Sequence, residues 1–368
     1  DRLFEKREDR VLPNFIGALQ LTILVSGMIG LAFILFLLRE QNPFYQLLML
    51  SGFIILSMIW IATIFLSGMK QYKQILWLFL IGYGISVGSA VALRPFGLEG
   101  LLAGFVIGQF VLLLGMLVLT LRTYPSDRFA EFDFAAKGRM YPALMWIGFL
   151  YNFGVWVDKF FFWYGADTGQ AIIGPLRASL IYDLPIFLAY LSIIPGMAVF
   201  LTRMETDFVE YYDKFYNAVR EGGSLDQIEY LRDEMVFTIR QGIFEIIKIQ
   251  SIAVLVTFVA APALLRLLGV SQLYQGLLYI DVVAAGTQVV LLGLLNVFFY
   301  LDKRRIVLLL CGVFVMLNIL LTWVSLQLGP AYYGYGFALA LLVTVLLGMM
   351  LLDRKLERLE YETFMLQA

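Results

Sequence analysis

Ile306-Val-Leu-Leu-Leu-Cys-Gly-Val-Phe-Val-Met-Leu-Asn318-Ile-Leu-Leu-Thr-Trp-Val-Ser-Leu326 runs for 21 residues without an Asp, Glu, Lys or Arg, with Lys303-Arg304-Arg305 before it and Gly329-Pro330 after it. A helix of that length rises about 30 Å, the thickness of a bilayer's hydrocarbon core. The run lacks the period-two alternation of a barrel strand, so within lipid its backbone groups are satisfied by a helix. Nine more blocks of this kind lie near Leu12–Leu38, Phe44–Leu66, Ile75–Leu93, Leu98–Leu121, Met140–Phe162, Ser179–Leu201, Ile243–Leu268, Leu277–Tyr300 and Tyr333–Leu352. The chain therefore reads as an all-α polytopic membrane protein with about ten transmembrane helices. Its composition agrees: 61% of residues are apolar and 15% charged, against roughly half and a quarter in soluble domains.

Composition also excludes several functions. A net charge of −1 offers no basic surface for nucleic acid, and the single cysteine, Cys311, rules out a disulfide framework. With no histidine, the chain lacks the commonest general base and metal ligand. No catalytic residue, metal or cofactor is expected. The sequence opens at Asp1, with neither a Met nor a signal-peptide pattern, and a natural beginning upstream is expected.

Basic residues set the expected orientation, because short cytoplasmic loops are enriched in Lys and Arg. Alternate connections carry 21 basic residues, from Arg2 to Arg358, and the intervening ones carry Arg39, Arg94, Arg177 and Arg266. That asymmetry places both chain ends in the cytoplasm of a bacterial inner membrane.

The stretch 123–139 has mixed charge and the turn residues Pro125, Ser126 and Asp127, so it reads as a cytoplasmic linker. It divides the chain into an N-terminal bundle, 1–122, with four spans, and a C-terminal six-helix bundle, 140–352, followed by a cytoplasmic tail, 353–368. Four against six is lopsided, and two helices are expected upstream, giving twelve in two six-helix bundles with the first truncated. A faint echo supports two parallel repeats. Pro95-Phe-Gly-Leu-Glu-Gly100-Leu-Leu-Ala103-Gly104 enters the last span of the first half, and Pro330-Ala-Tyr-Tyr-Gly-Tyr-Gly336-Phe-Ala338-Leu-Ala340 enters the last span of the second. Gly100, Gly104, Gly108 and Gly115 share one face of the fourth span and predict close approach of another backbone. Pro185 and Pro195-Gly196 predict bends in the sixth span, where a gate and a plain tolerated kink both remain open.

Ionisable residues inside spans are costly and point to function. Asp158, Lys159, Asp183, Arg266 and Asp281 fall toward the periplasmic ends of their spans, with Arg177 close by in sequence. Together they suggest an outer gate closed by salt bridges; singly, each could snorkel to the interface. No midplane carboxylate, hence no acidic proton or sodium site, is evident. Glu245 and Lys248, three apart, could pair with each other. The middles of the spans carry neutral polar groups, Gln109, Asn152, Gln288, Asn296 and Asn318, of which the last four are candidates for a substrate path. Asn152, Trp156, Lys159 and Trp163 share a face of the fifth span. Aromatic rings beside amide and ammonium donors suit sugars, although Trp163 also fits an interfacial aromatic belt.

Between the sixth and seventh spans, in the insert 203–241, Arg203–Val219 reads as an amphipathic helix with Phe208, Tyr211, Tyr212 and Phe215 on one side. After Gly222-Gly223, the run Ser224-Leu-Asp-Gln227 resembles a capping box that starts a second helix with Ile228, Leu231 and Met235 on one face. Either these helices lie on the inner leaflet or the aromatic stripe docks a cytosolic partner.

Asp1-Arg-Leu-Phe-Glu-Lys-Arg-Glu-Asp-Arg-Val-Leu-Pro13 and Arg203-Met-Glu-Thr-Asp-Phe-Val-Glu-Tyr-Tyr-Asp-Lys-Phe215 resemble the PelG family, inner-membrane transporters of the bacterial Pel exopolysaccharide system. That family belongs to the multidrug/oligosaccharidyl-lipid/polysaccharide exporter superfamily, with twelve spans in two six-helix bundles. The resemblance implies export of an N-acetylhexosamine-rich, partly deacetylated polymer. It also implies a cytosolic glycosyltransferase, which the aromatic stripe would hold at the pore entrance, and inner-membrane subunits including a cyclic-di-GMP receptor. Three alternatives stand beside it: a lipid-linked oligosaccharide flippase or drug exporter of the same superfamily, a non-transporting scaffold for the synthase, and a membrane glycosyltransferase. For the last, the insert is too short to fold into a catalytic domain.

Overall fold

The computed structural model describes residues 10–69, 71–124, 126–135, 141–359, 361 and 363. Most of the run Asp1–Pro13, together with Lys70, Pro125, Lys137, Arg139 and the end of the tail, lies outside the described residues. The chain divides into two compact units, one of residues 1–140 with 172–176 and one of 141–171 with 177–368.

The first unit holds α1 (Val11–Leu37), α2 (Pro43–Gly68), α3 (Tyr72–Leu93) and α4 (Gly97–Thr123). Asn42 caps α2 by accepting from the Phe44 amide at 2.9 Å, with Pro43 in the first turn, where its missing N–H costs nothing. The glycine face of α4 meets α3. A side-chain carbon on Gly104 would overlap the backbone of Ala90, and one on Gly108 the backbone of Ser86. Ser89 Oγ donates to the Gly104 carbonyl at 2.8 Å, and Ser86 Oγ to that of Phe105 at 3.2 Å. The expected close approach is thus between neighbours in sequence. The linker folds back onto the start of α1: the Asp133 amide donates to Asn14 Oδ1 at 3.0 Å, and Arg10 lies 3.5 Å from Asp133. Apolar side chains such as Leu24, Phe36 and Trp60 face outward, as lipid contact requires.

The second unit contains α5 (Pro142–Tyr164), a hairpin of β1 (Gln170–Ile173) and β2 (Leu176–Ala178), α6 (Leu180–Leu191), α7 (Ile194–Thr202), α8 (Phe208–Glu221), α9 (Leu225–Leu267), α10 (Gln275–Tyr300), α11 (Arg304–Leu328) and α12 (Tyr335–Glu357). The hairpin tip counts with the first unit, where Ile173 and Leu176 pack with Ile34, Leu38 and Tyr45. The central helix is α10, which touches α6, α7, α9, α11 and α12 and is buried along most of its length. The sixth expected span is broken. α6 carries Pro185 internally, and a 41° bend separates it from the helical stretch beginning at Ile194, where Pro195 occupies the first turn.

The insert differs from expectation in two ways. A π-helical turn, Arg203–Asp207, precedes α8; such turns recur at functional sites. Gly222, left-handed at φ 75°, ends α8, and Ser224 caps the next helix by accepting from the Gln227 amide at 3.3 Å. That helix does not stop before the seventh span. It continues as α9 for 43 residues, about 65 Å at 1.5 Å per residue, because nothing between Asp233 and Gln241 breaks it. Gly242 lies under Met204 of the π turn.

Among the described residues, seven helices are long and apolar enough to cross a membrane, or eight with the bent pair counted as one. Tyr72–Thr123 counts once there, although the turn at Arg94–Phe96 splits it into α3 and α4. α5 is not among the seven, and Asn152, Asp158 and Lys159 lower its apolarity. The protein is an all-α, multi-pass membrane protein. The two Pro-Gly entries noted in the sequence are built alike: each is a one-turn 3-10 helix, Arg94–Phe96 or Pro330–Tyr332, followed by a positive-φ glycine, Gly97 as the first residue of α4 or Gly334 just before α12.

Candidate functional site: a buried ionisable cluster

Inside the second unit, toward the end where α5 and α11 finish and α10 and α12 begin, charged and polar side chains converge. Asp158 of α5 is fully buried. Tyr182 OH of α6 donates to its Oδ2 at 2.6 Å, Lys159 Nζ lies 3.3 Å from the same oxygen, and Asn318 Nδ2 of α11 lies 3.5 Å from Oδ1. Asn318 also donates to the Gly154 carbonyl at 2.8 Å and accepts from Thr322 Oγ1 at 2.8 Å. It sits where α5 and α11 cross, at a glycine whose hydrogen faces Phe314. Lys159, 6% exposed, donates to the Val155 carbonyl at 2.8 Å. Its ammonium lies 5.3–6.0 Å from the ring centres of Phe337, Tyr190, Trp156 and Tyr182, a cage that offsets part of the lost hydration.

Asp281 of α10 is also fully buried, and among the described residues neither of its carboxyl oxygens has a hydrogen-bond partner. It lies within electrostatic reach of Asp158 and Lys159. Gly334 leaves room for it: a side-chain carbon there would stand 2.9 Å from Asp281 Oδ1. With one lysine for two carboxylates, full ionisation would leave an uncompensated buried charge, which costs several kcal/mol. Asp158 and Asp281 lie toward the ends of their helices, as the sequence places them, with their side chains buried in the helix packing.

The other anticipated residues disperse. The outer charges do not form a ring of ion pairs among the described residues. Asp183 accepts from Trp163 Nε1 and the Ser179 amide, each at 2.8 Å, rather than from Lys159 or Arg177. Arg177 donates to the Gly169 carbonyl at 3.2 Å, and Arg266 is exposed. The stripe on α5 splits, with Lys159 turned inward and Asn152 and Trp156 exposed. Gln288 is buried and donates to Tyr151 OH at 3.2 Å. Asn296 lies away from the cluster, donating to Glu205 of the π turn at 2.9 Å. Gln109 is buried in the first unit. Glu245 pairs with Arg203, at 3.1 Å through Nη2, rather than with Lys248. The docking stripe is corrected as well: Phe208 and Phe215 are fully buried in the protein's own core, and Phe208 and Tyr212 pack on Tyr300 at 5.3 and 5.4 Å.

Sequence reading missed Tyr182, Tyr190, Tyr151 and Thr322. Tyr182 falls three residues after Ser179 at the start of an apolar block, and nothing in its spacing separates it from an interfacial tyrosine. Among the described residues, no group of three or more Cys, Asp or Glu could hold a metal ion.

Solved structures with a similar fold are membrane transporters. An inward-facing multidrug resistance MATE family transporter of the MOP superfamily matches with a TM-score of 0.61 at 11% identity, over 97% of this chain and 84% of the other. A MOP superfamily transporter from Pyrococcus furiosus, described as having a binding pocket of reverse polarity, matches at 0.63 and 13%, over 98% and 82%. A MATE transporter in complex with MaL6 matches at 0.64 and 12%, over 98% and 82%. At these identities the likeness shows the fold. No curated protein sequence matches the chain. The family model of PelG, "Putative exopolysaccharide Exporter (EPS-E)", matches residues 1–364, nearly the whole chain. Family and fold point to a transporter rather than an enzyme, and the chain belongs to the PelG family of exopolysaccharide exporters.

Proposed function

We propose that the protein carries an N-acetylhexosamine-rich, partly deacetylated exopolysaccharide across the bacterial inner membrane, taking it from a cytosolic glycosyltransferase, with both ends of the described chain in the cytoplasm. The orientation rests on the 21 to 4 distribution of basic residues. The polymer, the glycosyltransferase and a cyclic-di-GMP receptor among its membrane partners rest on the family.

The observation that carries the transport reading over a passive scaffold is the enclosed cluster of Asp158, Lys159 and Asp281. Two carboxylates and one ammonium in lipid-embedded helices destabilise the fold, and a protein that only anchors an enzyme gains nothing from them. In a transporter they supply a group whose charge changes with proton or cation occupancy and so biases the packing of α5, α10 and α11. The lipid-linked flippase and drug-exporter readings share this feature and differ in cargo.

Purified protein in liposomes, with the glycosyltransferase and its nucleotide sugar outside inverted vesicles, should accumulate polymer inside. Asp281→Asn should abolish accumulation while leaving polymer synthesis intact. Undiminished accumulation by that variant would remove the cluster from the mechanism, and synthesis without any accumulation by the wild type would leave the scaffold reading.

A further inference from the structure

The second unit holds a cleft of about 880 Å³ between the last turns of α5 and α11, closed below by the loop 165–168 and the turn 329–333. That volume lies within the range of small-ligand sites, about 300–1,000 Å³. Five aromatic residues line it, Phe160, Phe161, Tyr164, Trp323 and Tyr333, together with the polar groups of Asp167 and Gln327. Tyr164 and Trp323 are more than half exposed, at 59% and 54%, so their rings are open to a flat ligand.

The floor is fixed. Thr168 Oγ1 donates to the Phe162 carbonyl at 2.7 Å, and the Gly169 amide to that of Gly165 at 3.1 Å. Tyr333 stands edge-on to Phe162 at 5.1 Å, and Phe162 stacks on Tyr182 at 3.9 Å. Tyr182 in turn donates to Asp158, so one continuous stack joins the cleft floor to the buried cluster.

We propose that this cleft binds neutral pyranose units of the polymer on the exit side of the membrane. The proposal rests on the export reading and on its orientation. Pyranose rings have apolar faces that lie on Tyr164 and Trp323, and hydroxyl rims that donate to the Asp167 carboxylate and bond to the Gln327 amide. Charge selects within sugars: Asp167, the one charged side chain in the lining, repels a uronate. A phospholipid is less suited, because the Asp167 carboxylate and the Gln327 amide stand among the rings and would repel a lipid phosphate or go unpaired against an acyl chain.

The test uses the full chain in phosphatidylcholine nanodiscs, titrated with a tetramer of N-acetylglucosamine and, separately, with tetragalacturonate, followed by tryptophan fluorescence and calorimetry. The neutral tetramer should bind saturably and the acidic one at least tenfold more weakly. Trp323→Leu and Tyr164→Leu should each weaken binding about tenfold, and Gln327→Ala, at an exposed position, should weaken it without touching the packing. Trp146→Leu, outside the cleft, should bind as the wild type does, and an unreactive Cys311 thiol should verify that each variant is folded. Equal affinity in the cleft variants, equal binding of both tetramers, or tighter retention of lipid than of sugar would overturn the inference. Export of polymer in liposomes without tetramer binding would sink the cleft and leave the export reading, and binding without export would do the reverse.

Discussion

Phe215→Ala should destabilise the second unit by about 3–5 kcal/mol, the usual cost of removing a buried phenylalanine and leaving a cavity. Phe215 has no exposed surface, touches Tyr216 ring to ring at 5.0 Å, and belongs to the same core cluster as Phe208, Met235 and Ile239. Tyr211 is its control: four residues away on the same stripe, it is only partly buried and packs at the edge of that cluster, so Tyr211→Ala should cost about 1 kcal/mol, the centre of the range for ordinary substitutions. The protein carries its own reporter. Cys311 is its single cysteine, lies 1% exposed in α11 and belongs to the same cluster as Phe215, so a thiol-reactive fluorophore lights up when the unit opens. In a thermal ramp of detergent-purified protein the Phe215→Ala midpoint should fall by about 6–20 °C, from about 2–4 °C per kcal/mol in domains of this size. A midpoint equal to the wild type, together with loss of a co-purifying glycosyltransferase, would refute burial as the role of Phe215 and return the stripe to partner docking.

Gly108→Leu should prevent α3 from packing on α4, because the new side chain falls on the Ser86 backbone, whereas Gly88→Leu, whose side chain enters open space, should be tolerated; size-exclusion recovery of the two variants distinguishes them. The Arg203–Glu245 pair is partly exposed, so a double-mutant cycle on the same Cys311 assay should return a coupling of about 0.5–1 kcal/mol, and zero coupling would remove that pair from what holds the π turn. On a Cys311→Ser background, a cysteine placed in the Arg94–Gly97 turn should react with an impermeant thiol reagent from the periplasmic side and one at Lys303–Arg305 should not. The opposite pattern would invert the topology.

What the sequence carried on its own was whatever depends on local composition. Apolar blocks long enough to cross a bilayer, the glycine face of α4, the break at Pro195 and the Ser224 cap are all written in neighbouring residues, and each is visible in the helix, the packing or the turn it forms. Pairing between helices was not legible in the same way. Asp183 three residues from Leu180 and Asp281 six residues into α10 look alike as charges near the end of a span, yet the first accepts two hydrogen bonds and the second has none. Which of them is satisfied depends on the rotation of α6 and α10 about their axes, and that rotation is set by side chains from four other helices. The same reason explains the aromatic stripe of α8, where periodicity correctly gave one apolar face but could not say whether a partner or the protein's own α9 and α10 would cover it. In lipid, apolar surface alone gives helices little reason to choose a neighbour. The choice falls to small residues, hydrogen bonds and shape, which exist only once Gly154 meets Phe314, Asn318 meets the Gly154 carbonyl, and Tyr182 reaches Asp158.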